Sequence, residues 1–154
     1  MSSCILMLDF DGVTHPDGCF DANFFCRLPL IEEVLYEFPS VQIVISSSWR
    51  DHYSLGDMTD FFSPVIGARI VGITPNLKTV SSSWLPTQKH EFERQRECEL
   101  WMKENRQWSA PWMSIDDRPY WFEPECSNLL ITDPDIGFQA GDQVKLRRML
   151  NERT

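Results

Sequence analysis

Basic side chains are scarce in this chain of 154 residues. The 14 Lys and Arg stand against 23 Asp and Glu, so the formal net charge is −9. A chain with this balance lacks a broad basic surface that could release counterions from a phosphate backbone. Tight non-specific binding to nucleic acids is therefore disfavoured, although a local group of arginines can still hold one phosphate. An acidic site for a cation is equally compatible with this charge.

The sequence also lacks paired cysteines and long apolar runs. Its 5 cysteines form neither a CxxC pair nor an even set, which favours a reducing compartment. The start, Met-Ser-Ser-Cys, has none of the basic residues that open a signal peptide. No segment approaches the ~20 apolar residues that a membrane helix needs. We therefore expect a cytoplasmic protein without a membrane span.

The composition is otherwise that of a globular protein, with 42% hydrophobic and 24% charged residues. The length suits a single domain over residues 1–154, and no repeat or low-complexity linker interrupts it. Apolar runs rich in β-branched residues alternate with segments of helical periodicity. The predicted strands are 4–8, 41–45, 69–73, 112–115 and 129–132, the predicted helices are 29–38, 57–62, 91–105 and 144–150, and 81–86 is a predicted loop. This alternation predicts an α/β fold, a three-layer Rossmann-like parallel sheet with helices on both faces.

Polar clusters follow three of these strands: Asp9 and Asp11, then Ser46, then Asp116 and Asp117. Ligands of parallel sheets bind at the carboxyl ends of the strands, so these side chains are expected to meet there. Carboxylates two residues apart on a strand begin on the same face and repel each other unless one is protonated or a cation lies between them. Oxygen ligands of this kind suit Mg²⁺.

With Mg²⁺ present, Asp9 could attack a phosphorus atom, and Asp11 could protonate the leaving oxygen and later activate water. A serine hydroxyl at the end of the second strand and a cation from the long helix would bind the phosphoryl oxygens.

The motif Asp9-Phe10-Asp11-Gly12-Val13 resembles the first motif of the haloacid dehalogenase (HAD) superfamily, DxDG(T/V). VQIVI, followed by Ser46, resembles its second motif, and SIDDR resembles its acidic fourth motif. In detail the chain is most similar to the small HAD domains associated with bacterial RNA-repair proteins. This narrower likeness lies in SSSWR, in TDPDIGF, and in the helical spacing of Arg94, Glu97, Cys98 and Trp101.

The resemblance implies Mg²⁺-dependent phosphoryl transfer through an aspartyl phosphate. It assigns Asp9 as nucleophile and Asp11 as acid/base. The metal would be held by the side chains of Asp9 and Asp116 and the backbone carbonyl of Asp11, with Asp117 as a direct or indirect ligand. Ser46 would bind the phosphoryl group. Ser47 is a further candidate, against the alternative that it and Ser48 cap the next helix.

The basic residue of the third motif is left open by the sequence, because Lys78, Lys89, Arg94 and Arg96 all lie in the right interval. We favour Arg94, since its spacing to Trp101 matches the similar domains, and keep Lys89 as the alternative. Trp49, next to the serine run, could stack a nucleobase or pack in the interior.

Residues 14–40 and 51–89 leave room for no large cap insertion. An open site favours large substrates, so the expected partner is a phosphorylated substrate such as a nucleotide or a nucleic-acid end. Two alternatives stay open: a non-catalytic binding or regulatory module on the same fold, and a phosphotransferase that passes the group to an alcohol. The oligomeric state is not indicated by the sequence.

Overall fold

The computed structural model describes residues 3–77 and 91–154, so the predicted loop at 81–86 lies outside the described residues. The strands described are β1 (Ile5–Leu8), β2 (Gln42–Ile45), β3 (Ile70–Ile73), β4 (Trp112–Asp116) and β5 (Leu129–Ile131). The helices are α1 (Leu28–Leu35), α2 (Leu55–Thr59), α3 (Pro64–Gly67), α4 (Glu93–Glu104) and α5 (Ala140–Arg153). None of these helices is long and apolar enough to cross a membrane.

The strands of the described chain form one parallel sheet in the order β3-β2-β1-β4-β5. Leu8 at the end of β1 lies beside Ile45 of β2 and Ile115 of β4. The three central strands therefore end at the same level, and the polar residues that follow them meet at one edge.

Successive residues of β1 point to opposite faces of the sheet. Leu6 and Leu8 lie in the core cluster that contains residues of α1 and α5, whereas Ile5 and Met7 pack with Cys98 of α4. Because both faces are covered, the strand is apolar at every position. The predicted α/β architecture, a parallel sheet with helices on both faces, is confirmed.

The segments that could carry a cap are small among the described residues. A single turn of 3₁₀ helix, Asp21–Asn23, lies between β1 and α1. Between β2 and β3, a turn at Ser48–Asp51 precedes α2 and α3. Met58 and Ile66 of these two helices belong to the main core, so this segment packs against the sheet.

Candidate active site

Three carboxylates converge at the ends of β1 and β4. Asp9, Asp116 and Asp117 each offer an oxygen, and these oxygens lie within 4.8 Å of one another. We call this group the carboxylate triad. All three residues are buried, with Asp116 0% exposed. The parallel pairing of β1 with β4 brings them together, since the backbone N–H of Asp9 donates to the carbonyl of Ile115 at 3.2 Å.

The close packing of the triad disfavours full ionisation. Burial, followed by the neighbouring carboxylates, raises the pKa of Asp9 well above its ordinary value. Burial likewise raises the pKa of Asp116 to about 7, and that of Asp117 also lies above its ordinary value. A divalent cation is what would allow all three groups to be ionised together.

Arg94, near the start of α4, reaches the same place. Its Nη1 lies 3.6 Å from Asp9 Oδ1 and 3.7 Å from Asp116 Oδ2, and it donates a hydrogen bond to the backbone carbonyl of Ser46. Burial alone would lower the pKa of its guanidinium, but the surrounding carboxylates raise that pKa overall. Arg94 is therefore a fixed cation directed at the triad.

Glu97 holds Arg94 in place and is itself paired with a second, partly buried arginine, Arg50. Glu97 lies one turn further along α4, and its Oε1 is 3.5 Å from Arg94 Nε. Its other oxygen accepts from Arg50 Nη2 at 2.8 Å and from the backbone N–H of Leu77 at 3.1 Å. Arg50 also donates to Thr74 Oγ1 at 2.8 Å. This network joins the loops after β2 and β3 to α4 beneath the site.

Asp11 stands apart from the triad and is more accessible, with its side chain 40% exposed. Its Oδ1 accepts a hydrogen bond from His15 Nε2 at 2.8 Å, and Trp49 Nε1 lies 3.1 Å from each of its oxygens. The bond from His15, with a smaller part from Trp49, holds the pKa of Asp11 below its ordinary value. Asp11 is thus a carboxylate with a defined orientation.

The loop that carries Asp11 and Gly12 is tied to the segment after β5. The hydroxyl of Thr132 donates a hydrogen bond to the carbonyl of Gly12 at 2.7 Å, and the N–H of Phe138 donates one to the carbonyl of Val13 at 2.8 Å. Gly137, with φ +82°, allows the close approach, because a Cβ there would crowd the Val13 carbonyl. The TDPDIGF stretch therefore supports the loop of the first motif.

A cavity of about 60 Å³, the strand-end cavity, opens beside the triad. Its lining comprises Asp9, Asp11, Asp17, Ser48, Arg94, Asp117, Arg118 and Trp121. It thus joins the two aspartates of the first motif, one of the fourth-motif pair and the favoured third-motif arginine in one space.

The structure places the predicted phosphate-binding serines behind this lining. Ser46 is fully buried, with its hydroxyl 3.8 Å from Cys98 Sγ, and Ser47 accepts from the N–H of Trp49, as a cap does. Ser48 is the exposed serine of the run and the one that lines the cavity. The roles given to Ser46 and Ser47 stay predictions. Lys89 lies outside the described residues.

Several contacts of the site are not indicated by the sequence analysis. The guanidinium groups of Arg94 and Arg118 lie over the ring of Trp121, at 5.0 Å and 5.3 Å from its centroid. His15 and Trp49 act as donors to Asp11, and no short motif signals either contact, because Trp49 lies 38 positions further along the chain. The indole of Trp49 also packs among aromatic rings, as one of its two predicted alternatives requires.

The donor set fits a hard divalent cation. The triad supplies only carboxylate oxygens, the ligands that Mg²⁺ prefers. Among the described residues, Asp116 Oδ2 is buried without a hydrogen-bond partner, a costly arrangement that a bound cation would relieve. Arg94 offsets part of the negative charge at 3.6 Å and 3.7 Å but lies beyond direct hydrogen-bond distance of these carboxylates.

Comparison with known proteins gives one match. A family model described as the HAD domain in Swiss Army Knife RNA repair proteins matches residues 5–142. No curated protein and no solved structure matches the chain. The matched range contains all the strands described above, the carboxylate triad, Asp11 and Arg94. The chain therefore belongs to the family of HAD domains found in Swiss Army Knife RNA repair proteins.

Proposed function

We propose that this chain is a Mg²⁺-dependent phosphohydrolase that works through an aspartyl phosphate on Asp9. The observation that carries the proposal is the meeting of the carboxylate triad, Arg94 and Asp11 around one cavity. A solely structural role does not account for this arrangement, because buried carboxylates this close together destabilise a fold unless something neutralises them.

In the proposed reaction, an oxygen of the Asp9 carboxylate attacks the phosphorus atom and the bond from phosphorus to the leaving oxygen breaks. Asp11, protonated from solvent when the substrate binds, gives that proton to the leaving oxygen, and the resulting carboxylate then removes a proton from the water that attacks the phosphoryl group on Asp9. This second step restores the Asp9 carboxylate and releases phosphate. Arg94, held by Glu97, stabilises negative charge on the phosphoryl oxygens.

The metal would be held by the side chains of Asp9, Asp116 and Asp117 and by the backbone carbonyl of Asp11. When bound, Mg²⁺ would supply positive charge that stabilises the transferring phosphoryl group.

We further propose that the substrate is the phosphate of a nucleic-acid end or a nucleotide. Two observations support it: the family occurs in RNA repair proteins, and the described residues bring no large cap over the cavity. The net charge of −9 argues against tight, sequence-independent binding of long nucleic acids. Recognition would then depend on the end itself.

The test is phosphate release from an aryl phosphate and from 5′- and 3′-phosphorylated oligonucleotides, with Mg²⁺ or with EDTA. We expect Mg²⁺-dependent release that Asp9→Asn reduces by at least 10³-fold, because the nucleophile is lost. Asp60→Asn, an exposed aspartate after α2, serves as the matched control. Folding of each variant is verified by circular dichroism.

Each alternative gives a different result. Mg²⁺ binding by calorimetry without turnover of any substrate would favour a binding module and overturn the hydrolase proposal. Transfer of the phosphoryl group to added glycerol in preference to water would identify a phosphotransferase. Turnover of small phosphosugars, with none of the oligonucleotides, would overturn the proposed substrate class alone.

A further inference from the structure

We propose that Trp49 and His15 are positioning residues that hold the Asp11 carboxylate in the orientation its acid/base role requires. This inference rests on the proposed function and assigns a task to two side chains that the reaction described above does not use. Neither residue lines the strand-end cavity, so each acts through Asp11 rather than on the substrate.

The geometry of the contacts is specific. His15 Nε2 lies 2.8 Å from Asp11 Oδ1, and Trp49 Nε1 lies 3.1 Å from both Oδ1 and Oδ2. The two donors come from different parts of the chain, the loop after β1 and the turn after β2. Together they restrict both side-chain torsions of a residue that has left the strand and is 40% exposed.

The surroundings of His15 fix which ring nitrogen carries its proton. The backbone N–H of Phe25 donates to His15 Nδ1 at 3.2 Å, and the hydroxyl of Thr14, 3.1 Å from the same nitrogen, can donate to it as well, so these contacts favour a lone pair on Nδ1. The proton of the neutral ring is then on Nε2, the nitrogen that faces Asp11. The fold thus makes His15 a donor to this carboxylate.

Aromatic packing alone does not explain these contacts. His15 is 1% exposed and lies among the rings of Phe24, Phe25 and Trp49, at centroid distances of 4.9, 5.3 and 5.6 Å. An apolar side chain would fill such a cage without the desolvation that a buried imidazole brings. The imidazole and the indole N–H share one carboxylate, which a packing role does not require.

The arrangement also leaves Asp11 able to exchange a proton. Each carboxylate oxygen can accept two hydrogen bonds. Oδ1 accepts hydrogen bonds from both His15 and Trp49, whereas Oδ2 accepts one from Trp49 alone. Asp11 lines the strand-end cavity, and its Oδ2 keeps the capacity to accept a further hydrogen bond, as from a leaving oxygen or water.

Trp49→Phe provides the first test, because it removes the indole N–H and keeps most of the aromatic packing. We expect kcat of aryl phosphate hydrolysis to fall at least tenfold with KM within twofold, since misplacing a reacting group affects the chemical step. Trp108→Phe, at a tryptophan 68% exposed and remote from the cavity, is the matched control. In an Asp11→Asn background, Trp49→Phe should lower kcat no further, because its effect passes through Asp11.

His15 is tested by a pair of substitutions. Gln can present an amide N–H near the position of Nε2, whereas Leu fills the cage but donates nothing. We expect His15→Gln to retain at least a fifth of wild-type kcat and His15→Leu to lose at least tenfold. Equal losses in the two variants, or a full Trp49→Phe effect without Asp11, would show that these residues serve packing only.

Nuclear magnetic resonance provides a readout that does not depend on activity. In the wild type we expect His15 as the Nε2–H tautomer, and we expect Asp11→Ala to shift the Trp49 indole N–H signal but not that of Trp108. An unshifted Trp49 signal overturns the inference whatever the kinetics. A wild type that binds Mg²⁺ but hydrolyses nothing overturns the proposed function instead, and positioning of Asp11 is then decided by this NMR result.

Discussion

At the scale of single residues, Gly12 shows how closely the loop after β1 approaches the triad. Its φ is +77°, a left-handed conformation that disfavours residues with a Cβ, and a Cβ at this position would overlap the carboxyl group of Asp117. Gly18 has a similar φ of +71° but open space around it. Substitution of Gly18 would carry only the penalty of the backbone conformation, whereas substitution of Gly12 would add a clash with Asp117 of the carboxylate triad.

We therefore predict that Gly18→Ala affects only the stability of the fold, whereas Gly12→Ala affects both the stability and the binding of Mg²⁺. Gly18→Ala should lower the free energy of unfolding by about 1 kcal/mol, from the left-handed conformation alone. Gly12→Ala should lower it by roughly 2–4 kcal/mol and also weaken Mg²⁺ binding at least tenfold, because Asp117 must move. Urea unfolding and calorimetry with Mg²⁺ measure both effects. Unchanged Mg²⁺ affinity in Gly12→Ala would show that Asp117 is not a ligand.

The residues of the triad can be predicted from the sequence because they follow apolar runs, where a carboxylate is unusual. Asp9 and Asp116 were identified in this way, and Arg94 was selected among four basic candidates by its spacing to Trp101. The donors to Asp11 could not be found by the same reasoning. His15 and Trp49 contact Asp11 only in the folded chain. Histidine and tryptophan side chains also pack in protein interiors without a functional role, so their presence in the sequence does not indicate this contact.

At the scale of elements, α4 links the core to the site. Cys98, Trp101 and Met102 pack on the sheet face formed by Ile5 and Met7, and Arg94 and Glu97 lie toward the carboxyl ends of the strands. The ion-pair network of Arg50, Glu97 and Arg94 fixes the start of the helix. In contrast, Arg96 and Glu99 on the same helix form an ion pair whose side chains are 37% and 45% exposed.

Removing the buried Glu97 should therefore lower the stability of the fold more than removing the exposed Glu99. We predict that Glu97→Ala lowers the free energy of unfolding by about 3 kcal/mol, because the partly buried Arg50 loses its carboxylate partner and the buried Arg94 loses one of its three neighbouring carboxylates. Glu99→Ala, on the same helix, should lower it by about 1 kcal/mol or less. Urea unfolding followed by circular dichroism measures the difference. Equal effects would mean that water reaches the network and screens it.

The strands were predicted closely from sequence, whereas the helices were predicted less well at their ends. Continuous apolar runs mark strands buried on both faces, so the bounds of β2 and β4 differ from the prediction by one residue. For α5, the prediction of 144–150 was too short, since the Asp142 carboxylate accepts a hydrogen bond from the backbone N–H of Gln139 at 2.9 Å and the helix starts at Ala140. The four-residue α3 was missed, because one helical turn has no detectable periodicity.

At the scale of the whole molecule, the raised pKa values of the triad link the stability of the folded chain to pH. Burial raises the pKa of Asp116 to about 7 and raises the pKa values of Asp9 and Asp117 in the folded state. Between their ordinary and raised pKa values, these groups bind more protons in the folded chain than in the unfolded chain. The free energy of unfolding of the metal-free protein should therefore decrease as pH rises through this window. Asp11, with a lowered pKa, contributes in the opposite direction at lower pH.

We predict that, in EDTA, the wild type loses stability between pH 5 and pH 8, and that Asp116→Asn flattens this dependence. The asparagine can still accept the hydrogen bond that the N–H of Arg118 donates to Asp116 Oδ1 at 2.9 Å, but it carries no charge. Thermal unfolding at a series of pH values gives the comparison. An equally steep loss in Asp116→Asn would assign the pH dependence to groups other than Asp116.

Mg²⁺ should restore the stability that the metal-free protein loses at the pH values where the triad is ionised. A ligand at 100 times its dissociation constant stabilises the folded state by about 2.7 kcal/mol, which for a chain of this size raises Tm by roughly 5–10 °C. Because cation binding competes with protons on the same carboxylates, the rise at pH 8 should exceed the rise at pH 5.5. In Asp116→Asn the rise should fall by more than half at both pH values. A Tm rise in the wild type that is independent of pH would mean that Mg²⁺ binds elsewhere on this acidic protein and leaves the triad protonated.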